Sequence, residues 1–171
     1  MSKVLLPTSQ GAIYRPPTPT NASREVARGR PVTASPNWAD HVKENAVDGR
    51  NDTKYHSDTT GANPKPWLLV NLVGSMWVKK IRVLPYVGGK PYRVTDYQFL
   101  LGNDEPPTAM NFSQYDLVGA IDGPVPRVEK WHEFDVSPPR CSRYVAVYKH
   151  IARPFDTYVM EVAELEVIDL Y

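Results

Sequence analysis

The sequence contains one cysteine, Cys141, in 171 residues, so no disulfide can close within the chain. Long apolar runs are missing too. The run nearest the N-terminus, Val4–Leu6, is far shorter than a signal-peptide core, and no later stretch is long enough to span a bilayer. These absences predict a soluble chain made in a cytosol, or else a mature fragment, with incorporation in a virion or export by another route open to it. Charge of one sign is not in excess: 20 basic residues stand against 19 acidic ones, a net charge of +1. Nucleic-acid binding draws most of its affinity from a basic stripe, so the even balance argues against that partner. Catalytic signatures are lacking as well. No Gly-x-Ser-x-Gly elbow, His-Glu-x-x-His pair, Walker loop or dinucleotide fingerprint occurs, and Cys141 follows Pro138-Pro139-Arg140 with nothing beside it to activate a thiol. The expectation is a non-enzyme.

No segment of convincing length carries a helical period; Asn37–Glu44 offers at most one short turn. What the chain has instead is proline, 17 residues of it, which suits short strands and shaped loops. Residues 1–24 hold Pro16, Pro17 and Pro19 among threonines and read as an extended arm, loose or packed on another protein subunit. From Glu25 to Tyr171, short β-branched and aromatic runs alternate with Pro, Gly, Asn and Asp clusters, as in an all-β domain. Strands are expected near Pro31–Ala34, Trp67–Leu72, Trp77–Pro85, Asp96–Gly102, Trp131–Val136, Arg143–Tyr148 and Val159–Ile168. The run Trp67-Leu-Leu-Val-Asn-Leu is almost continuously apolar, which predicts a strand covered on both faces. Trp67 and Trp77 are therefore expected in the core. In Val159–Ile168, the residues Glu161, Glu164 and Glu166 do not fall on one face, so a bulge or a special role for one of them is expected.

Four stretches, in order, resemble the discoidin or coagulation factor 5/8 type C family and its relatives among family 32 carbohydrate-binding modules and fucolectins. They are Ala27-Arg-Gly-Arg-Pro-Val-Thr-Ala-Ser35; the loop Asn45-Ala-Val-Asp-Gly-Arg-Asn-Asp-Thr53; Pro66-Trp-Leu-Leu-Val-Asn-Leu72 followed by Val78–Val83; and Arg143-Tyr-Val-Ala-Val147 with Glu161–Val167. The resemblance implies a jelly-roll β-sandwich of galactose-binding-domain type over residues 25–171, with binding chemistry in the loops. It also implies a structural Ca²⁺. Carbonyls at Asn45 and Arg50, the Asp48 side chain, the Thr53 hydroxyl and Glu164 from the last strand would form the shell, since Ca²⁺ takes six to eight oxygens. Arg50 stands where the family has asparagine, a departure that is harmless if only its carbonyl coordinates.

Sugar sites combine an aromatic face with a few placed polar groups. Three loop segments have that composition: Asn37–His41, Tyr55–Asp58 and Pro85–Arg93. From them Trp38, His41, Tyr55, His56, Tyr86, Lys90, Tyr92 and Arg93 are expected to bind ligand, with Tyr148–Phe155 facing the same end. Arg93 has a blander role open to it, pairing with Asp96 or Asp58. The fucolectin pattern of Arg-x-Asp-x4-Arg is broken here, with Tyr86 and Gly88 in place of Arg and Asp, so fucose specificity is not implied. Two functions follow. One is a lectin-like module for a glycan or glycoconjugate surface, serving attachment or adhesion. The other is a structural component of an assembly, such as a virion decoration or appendage protein, docked by its arm and forming an oligomer.

Overall fold

A computed structural model describes residues 22–60, 64–108, 111–126, 129–152 and 158–170. Nine strands run through them: β1 (Ser23–Glu25), β2 (Val32–Ala34), β3 (Tyr55–His56), β4 (Trp67–Leu84), β5 (Tyr97–Gly102), β6 (Asp116–Ile121), β7 (His132–Lys149), β8 (Glu161–Val162) and β9 (Glu164–Leu170). Among the described residues the only helical segments are short 3-10 turns at Lys43–Val47 and Pro91–Arg93. The first lies a few residues later than the turn expected over Asn37–Glu44.

The fold is a jelly-roll sandwich built on two long strands. β4 pairs with β7 along its length, but the register breaks between Asn71 and Met76 and again between Val78 and Lys80. Each strand thereby bends and contributes to two layers, since bulges increase local twist. Trp67–Asn71 pairs with β2 and with the second half of β7, which continues through β5 to β6. Val78–Leu84 pairs with β9, and β9 with β1. Six of these seven form one hydrogen-bonded path, β1-β9-β4-β7-β5-β6, with β2 branching from β4, while β3 and β8 make a separate two-stranded sheet.

Two pairs of expected strands are therefore single ones: Trp67–Leu72 with Trp77–Pro85, and Trp131–Val136 with Arg143–Tyr148. The breaks in alternation at Gly74–Met76 and at Pro138-Pro139 mark bulges within a ladder, where a strand interior tolerates such residues. Ser23 and Arg24, assigned from sequence to the arm, pair with Leu170 and Asp169 in the sheet. Arm residues 1–21 lie outside the described residues.

Between the layers, Leu68, Val70 and Leu72 of β4 meet Tyr97, Phe99 and Leu101 of β5 and Leu165 and Val167 of β9, all buried. Leu69 points the other way into a second cluster. There Phe112, from the β5–β6 loop, covers Leu100, Tyr144 and Ala146 beside the partly buried Trp67, Tyr115 and Tyr148. Both faces of Trp67–Leu72 are covered, as its apolar run predicts. Trp77 is only half-buried, with its indole N–H lacking a partner. No helix among the described residues is long and apolar enough to cross a membrane.

Candidate functional site

The two-residue pairing of β3 with β8 builds the site. Its register sets His56 opposite Glu161 and Tyr55 opposite Val162. An isolated bridge between Asn37 and Ser57 brings in the preceding loop. A backbone mesh then ties that loop down: Trp38 N–H donates to the His56 carbonyl (2.9 Å), His41 N–H to the Trp38 carbonyl (3.2 Å) and His56 N–H to the His41 carbonyl (3.2 Å). The rings of Trp38, His41 and His56 consequently gather, with centroids 5.3–6.0 Å apart. Trp38 is 46% exposed, whereas His56 is buried.

Beneath the rings lies Glu161, 1% exposed. Its Oε1 meets three nitrogens: Arg93 Nη1 at 2.9 Å, His56 Nε2 at 3.1 Å and Lys54 Nζ at 3.3 Å. Burial pushes this carboxyl up, but the His56 bond and the charges of Lys54 and Arg93 overcome it, leaving Glu161 at about 2. His56 Nδ1 lies 2.7 Å from the Ser57 carbonyl, which only accepts, so Nδ1 is the donor of that bond. Burial, with the charge of Lys54 adding to it, lowers the pKa of His41 and keeps its ring neutral near pH 7. Lys54 also rests over the Tyr86 ring at 4.3 Å. Gly89 permits the packing here: a Cβ on it would lie 2.6 Å from Glu161 Oε2.

The fully buried Lys149 anchors Arg93 from below. Its ammonium donates to the carbonyls of Arg93 (2.8 Å) and Val159 (3.0 Å). Arg93 pairs with Glu161, and no ion pair to Asp96 or Asp58 occurs among the described residues. Lys90 stands 5.6 Å from the ring of the exposed Tyr92, at the rim. His150 sits at the same pole, its ring nitrogen 2.9 Å from the Asp96 carbonyl; residues 153–155 of that expected loop lie outside the described residues.

Tyr55 does not belong with the ligand residues. Its side chain is fully buried and its hydroxyl donates to the Ser35 carbonyl at 2.9 Å, because the β3 register turns it toward the core. Tyr55→Phe is expected to cost about 1 kcal/mol by stranding that carbonyl, while leaving the loop surface intact. Thermal unfolding of the variant checks this; a cost near zero would remove the structural role given to the hydroxyl. Sequence reading missed Lys54 and Glu161. For Glu161 a signal existed, its misfit to the alternation of the last strand; Lys54 had none beyond adjacency to Tyr55-His56.

The Asp48 loop packs against the start of β9. Gly49 has φ +81°, and a Cβ there would lie 2.5 Å from the Arg28 guanidinium. Glu164 Oε2 accepts from Gly49 N–H at 3.0 Å, and Asp48 accepts from Thr53 Oγ1 and Arg50 N–H, each at 2.8 Å. Burial raises Glu164 to about 8, with the Asp48 charge adding to the effect. Arg50 turns its guanidinium outward onto Asp52, at 2.8 and 3.0 Å, so its charge is spent away from Glu164. The Asn45 amide donates to the Lys54 carbonyl, bracing the loop. Among the described residues, no three His, Cys, Asp or Glu side chains converge as a metal-binding set. Two carboxylates, one hydroxyl and the loop carbonyls are the oxygens on offer, a hard donor set suited to Ca²⁺.

Comparison with known proteins places this architecture. The model of the F5/8 type C domain matches residues 31–152. The chain belongs to the F5/8 type C domain family. The resemblance drawn from the four sequence stretches therefore holds. Among solved structures, the family 32 carbohydrate-binding module of C. perfringens NanJ, in complex with galactose, is 18% identical with a TM-score of 0.69, covering 86% of this chain and 100% of its own. A Streptococcus pneumoniae fucose binding module, SpX-3, is 14% identical with a TM-score of 0.65 over 84% of this chain and 96% of its own. The fucolectin from striped bass (Morone saxatilis) serum is 22% identical with a TM-score of 0.69, over 86% of this chain and 49% of its own. At these identities the likeness establishes the fold. No curated protein sequence matches the F5/8 type C chain.

Proposed function

We propose that the chain is a non-catalytic glycan-binding module, with its sugar site at the loop pole around Trp38 and a structural Ca²⁺ in the Asp48 loop. One observation carries the reading: an exposed tryptophan stands beside two histidines and above two cations held by one buried carboxylate. An aromatic face covers the C–H side of a sugar, while Arg93, Lys54 and His41 supply hydrogen bonds to its hydroxyls. Glu161 holds Arg93 and Lys54 in place before any ligand arrives, so little ordering cost remains for them at binding. Likeness to galactose- and fucose-binding modules supports the same class of ligand.

Attachment to a glycoconjugate surface is the role that fits such a module, since single sites of this size bind weakly and gain from multivalency. The Ca²⁺ would be held by Asp48, Glu164, Thr53 and loop carbonyls, and would brace the loop that leads into Lys54 and β3.

Calorimetric titration against neutral, fucosylated, amino and acidic sugars tests the proposal. The chain is expected to bind at least one with micromolar to millimolar affinity. Trp38→Ala and Arg93→Ala should each weaken that binding about tenfold or more, the loss of one stacked or charge-assisted contact. A chain that binds no sugar, or variants that bind as well as the parent, would overturn the assignment.

A further inference from the structure

His56 is buried, and both of its ring nitrogens are committed. Nδ1 faces the Ser57 carbonyl at 2.7 Å, an atom that only accepts, so it keeps a proton whatever the charge of the ring. A proton that comes or goes does so at Nε2. That nitrogen stands between two groups with opposite demands: Glu161 Oε1 at 3.1 Å, which calls for a donor, and Arg93 Nη1 at 3.3 Å, which calls for an acceptor. Arg93 Nη1 in turn donates to the same Oε1 at 2.9 Å, closing a triangle of three polar atoms.

We propose that His56 is a proton-operated switch on Arg93, and through it on ligand binding at the pole around Trp38. Its effect on a ligand rests on the glycan site proposed for this pole; the switch itself rests on the triangle. With Nε2 bare, its lone pair accepts from Arg93, and the guanidinium is gripped by two acceptors, His56 and Glu161. With Nε2 protonated, the new N–H donates to Glu161 and Arg93 loses one of its acceptors. Two N–H groups on like charges then face each other across 3.3 Å. Lys54 lies on the same carboxylate oxygen at 3.3 Å, so protonation gathers three cations on one Oε1.

The surroundings direct the proton to Nε2. Glu161 titrates near 2, so it does not take the proton at milder pH. The His41 ring, 6.0 Å from His56, has its own pKa lowered by burial, and Asp40 lies 3.9 Å from His41 on the solvent side. Only the end of the Arg93 side chain is released, because Lys149 Nζ donates to the Arg93 carbonyl at 2.8 Å and holds the Pro91–Arg93 turn. Imidazole is the side chain whose charge ordinarily changes between pH 5 and 8. The neutral ring is the form that grips Arg93, so binding through Arg93 is strongest at the upper end of that range. It weakens toward the lower end by up to about tenfold per pH unit, the limit for one linked proton.

Nitrogen NMR of the histidine rings in the full chain tests this over pH 5–8, with His56 assigned by its loss in His56→Gln. The expected result is that Nε2 of His56 gains a proton while Nδ1 stays protonated, and that the Arg93 guanidinium resonances shift with the same midpoint. Removing a neighbouring cation by Arg93→Gln should raise that midpoint, and removing the carboxylate by Glu161→Gln should lower it, each by about one pH unit. In calorimetric titrations with galactose, affinity should fall from pH 8 to pH 5 in the parent and stay level in His56→Gln. Galactose that binds at no pH would count against the glycan site, while the NMR midpoints still decide the switch. The switch is overturned if Nε2 keeps one protonation state from pH 5 to pH 8, or if the His56 midpoint is the same in the parent and in Arg93→Gln. Galactose bound equally well at pH 5 and pH 8 would also sink it.

Discussion

Glu161→Ala is expected to destabilise the fold by about 3–5 kcal/mol and to abolish glycan binding at the same time, because it leaves three buried or half-buried nitrogens without their common counter-charge. Lys54 and Arg93 are only 12% and 15% exposed, so water cannot take over the role of the carboxylate. Glu161→Gln should lie between the two, keeping the volume and an acceptor oxygen but no charge. The pH dependence follows from the depressed pKa. The carboxyl titrates near 2 in the folded chain against 4.5 ordinarily, so the unfolded state takes up the proton first. Its contribution is fully present above about pH 4.5 and is lost as pH falls toward 2, in all about 3 kcal/mol. Thermal unfolding between pH 2 and 6 measures it. If Glu161→Gln showed the same acid sensitivity as the parent, the network would not be what holds this pole together.

At the other buried carboxylate the sign is reversed. Glu164 is raised to about 8, so in the metal-free chain its protonated form is the favoured one. That favourable state is complete below about pH 4.5, and stability is lost as pH rises from there through 8. At pH 7 the loss amounts to about 3 kcal/mol, from 2.5 pH units above the ordinary value. Glu164→Gln keeps an acceptor for Gly49 N–H and carries no charge to desolvate. In a chelator the variant is therefore expected to melt higher than the parent, with a gap that widens from pH 5 to pH 8. Calcium should close most of this gap in the parent, because the ion compensates the Glu164 and Asp48 charges together and binding at a hundredfold excess over Kd adds about 2.7 kcal/mol. Equal calcium shifts in both proteins, or a parent more stable than the variant at pH 8 in chelator, would take Glu164 out of the shell.

The contrast between these two glutamates, three residues apart, bears on how far a sequence can be read. Both are buried, and alternation along Val159–Ile168 showed only that the three glutamates of that run could not share a solvent face. One is depressed and the other raised because of what lies across from each. His56, Lys54 and Arg93 come to Glu161 through the β3–β8 pairing and the Pro91–Arg93 turn, while Asp48 and the Gly49 N–H come to Glu164 through the preceding loop. Those neighbours are 68 to 116 residues away along the chain. Tyr55 shows the same gap from the other side: its loop composition suggested a ligand residue, yet a two-residue strand is too short for a period to reveal which way its side chains face.

Other features were readable because their cause is local. The near-continuous apolar run Trp67–Leu72 could only be a strand covered on both faces, and Leu68 and Leu69 do point into separate clusters. The Asp48-Gly49 turn was legible because a left-handed φ favours glycine wherever it occurs. Proline abundance and the missing helical period settled the all-β class. What the sequence by itself determined, then, is the class, the strand material and the turn chemistry, since each depends on residues within a few positions of one another. Only the tertiary structure decided that two long strands bend through both layers, which carboxylate holds the cations, and which aromatic rings stay exposed. Those outcomes depend on register between distant strands, and a shift of one residue would send every side chain involved to the opposite face.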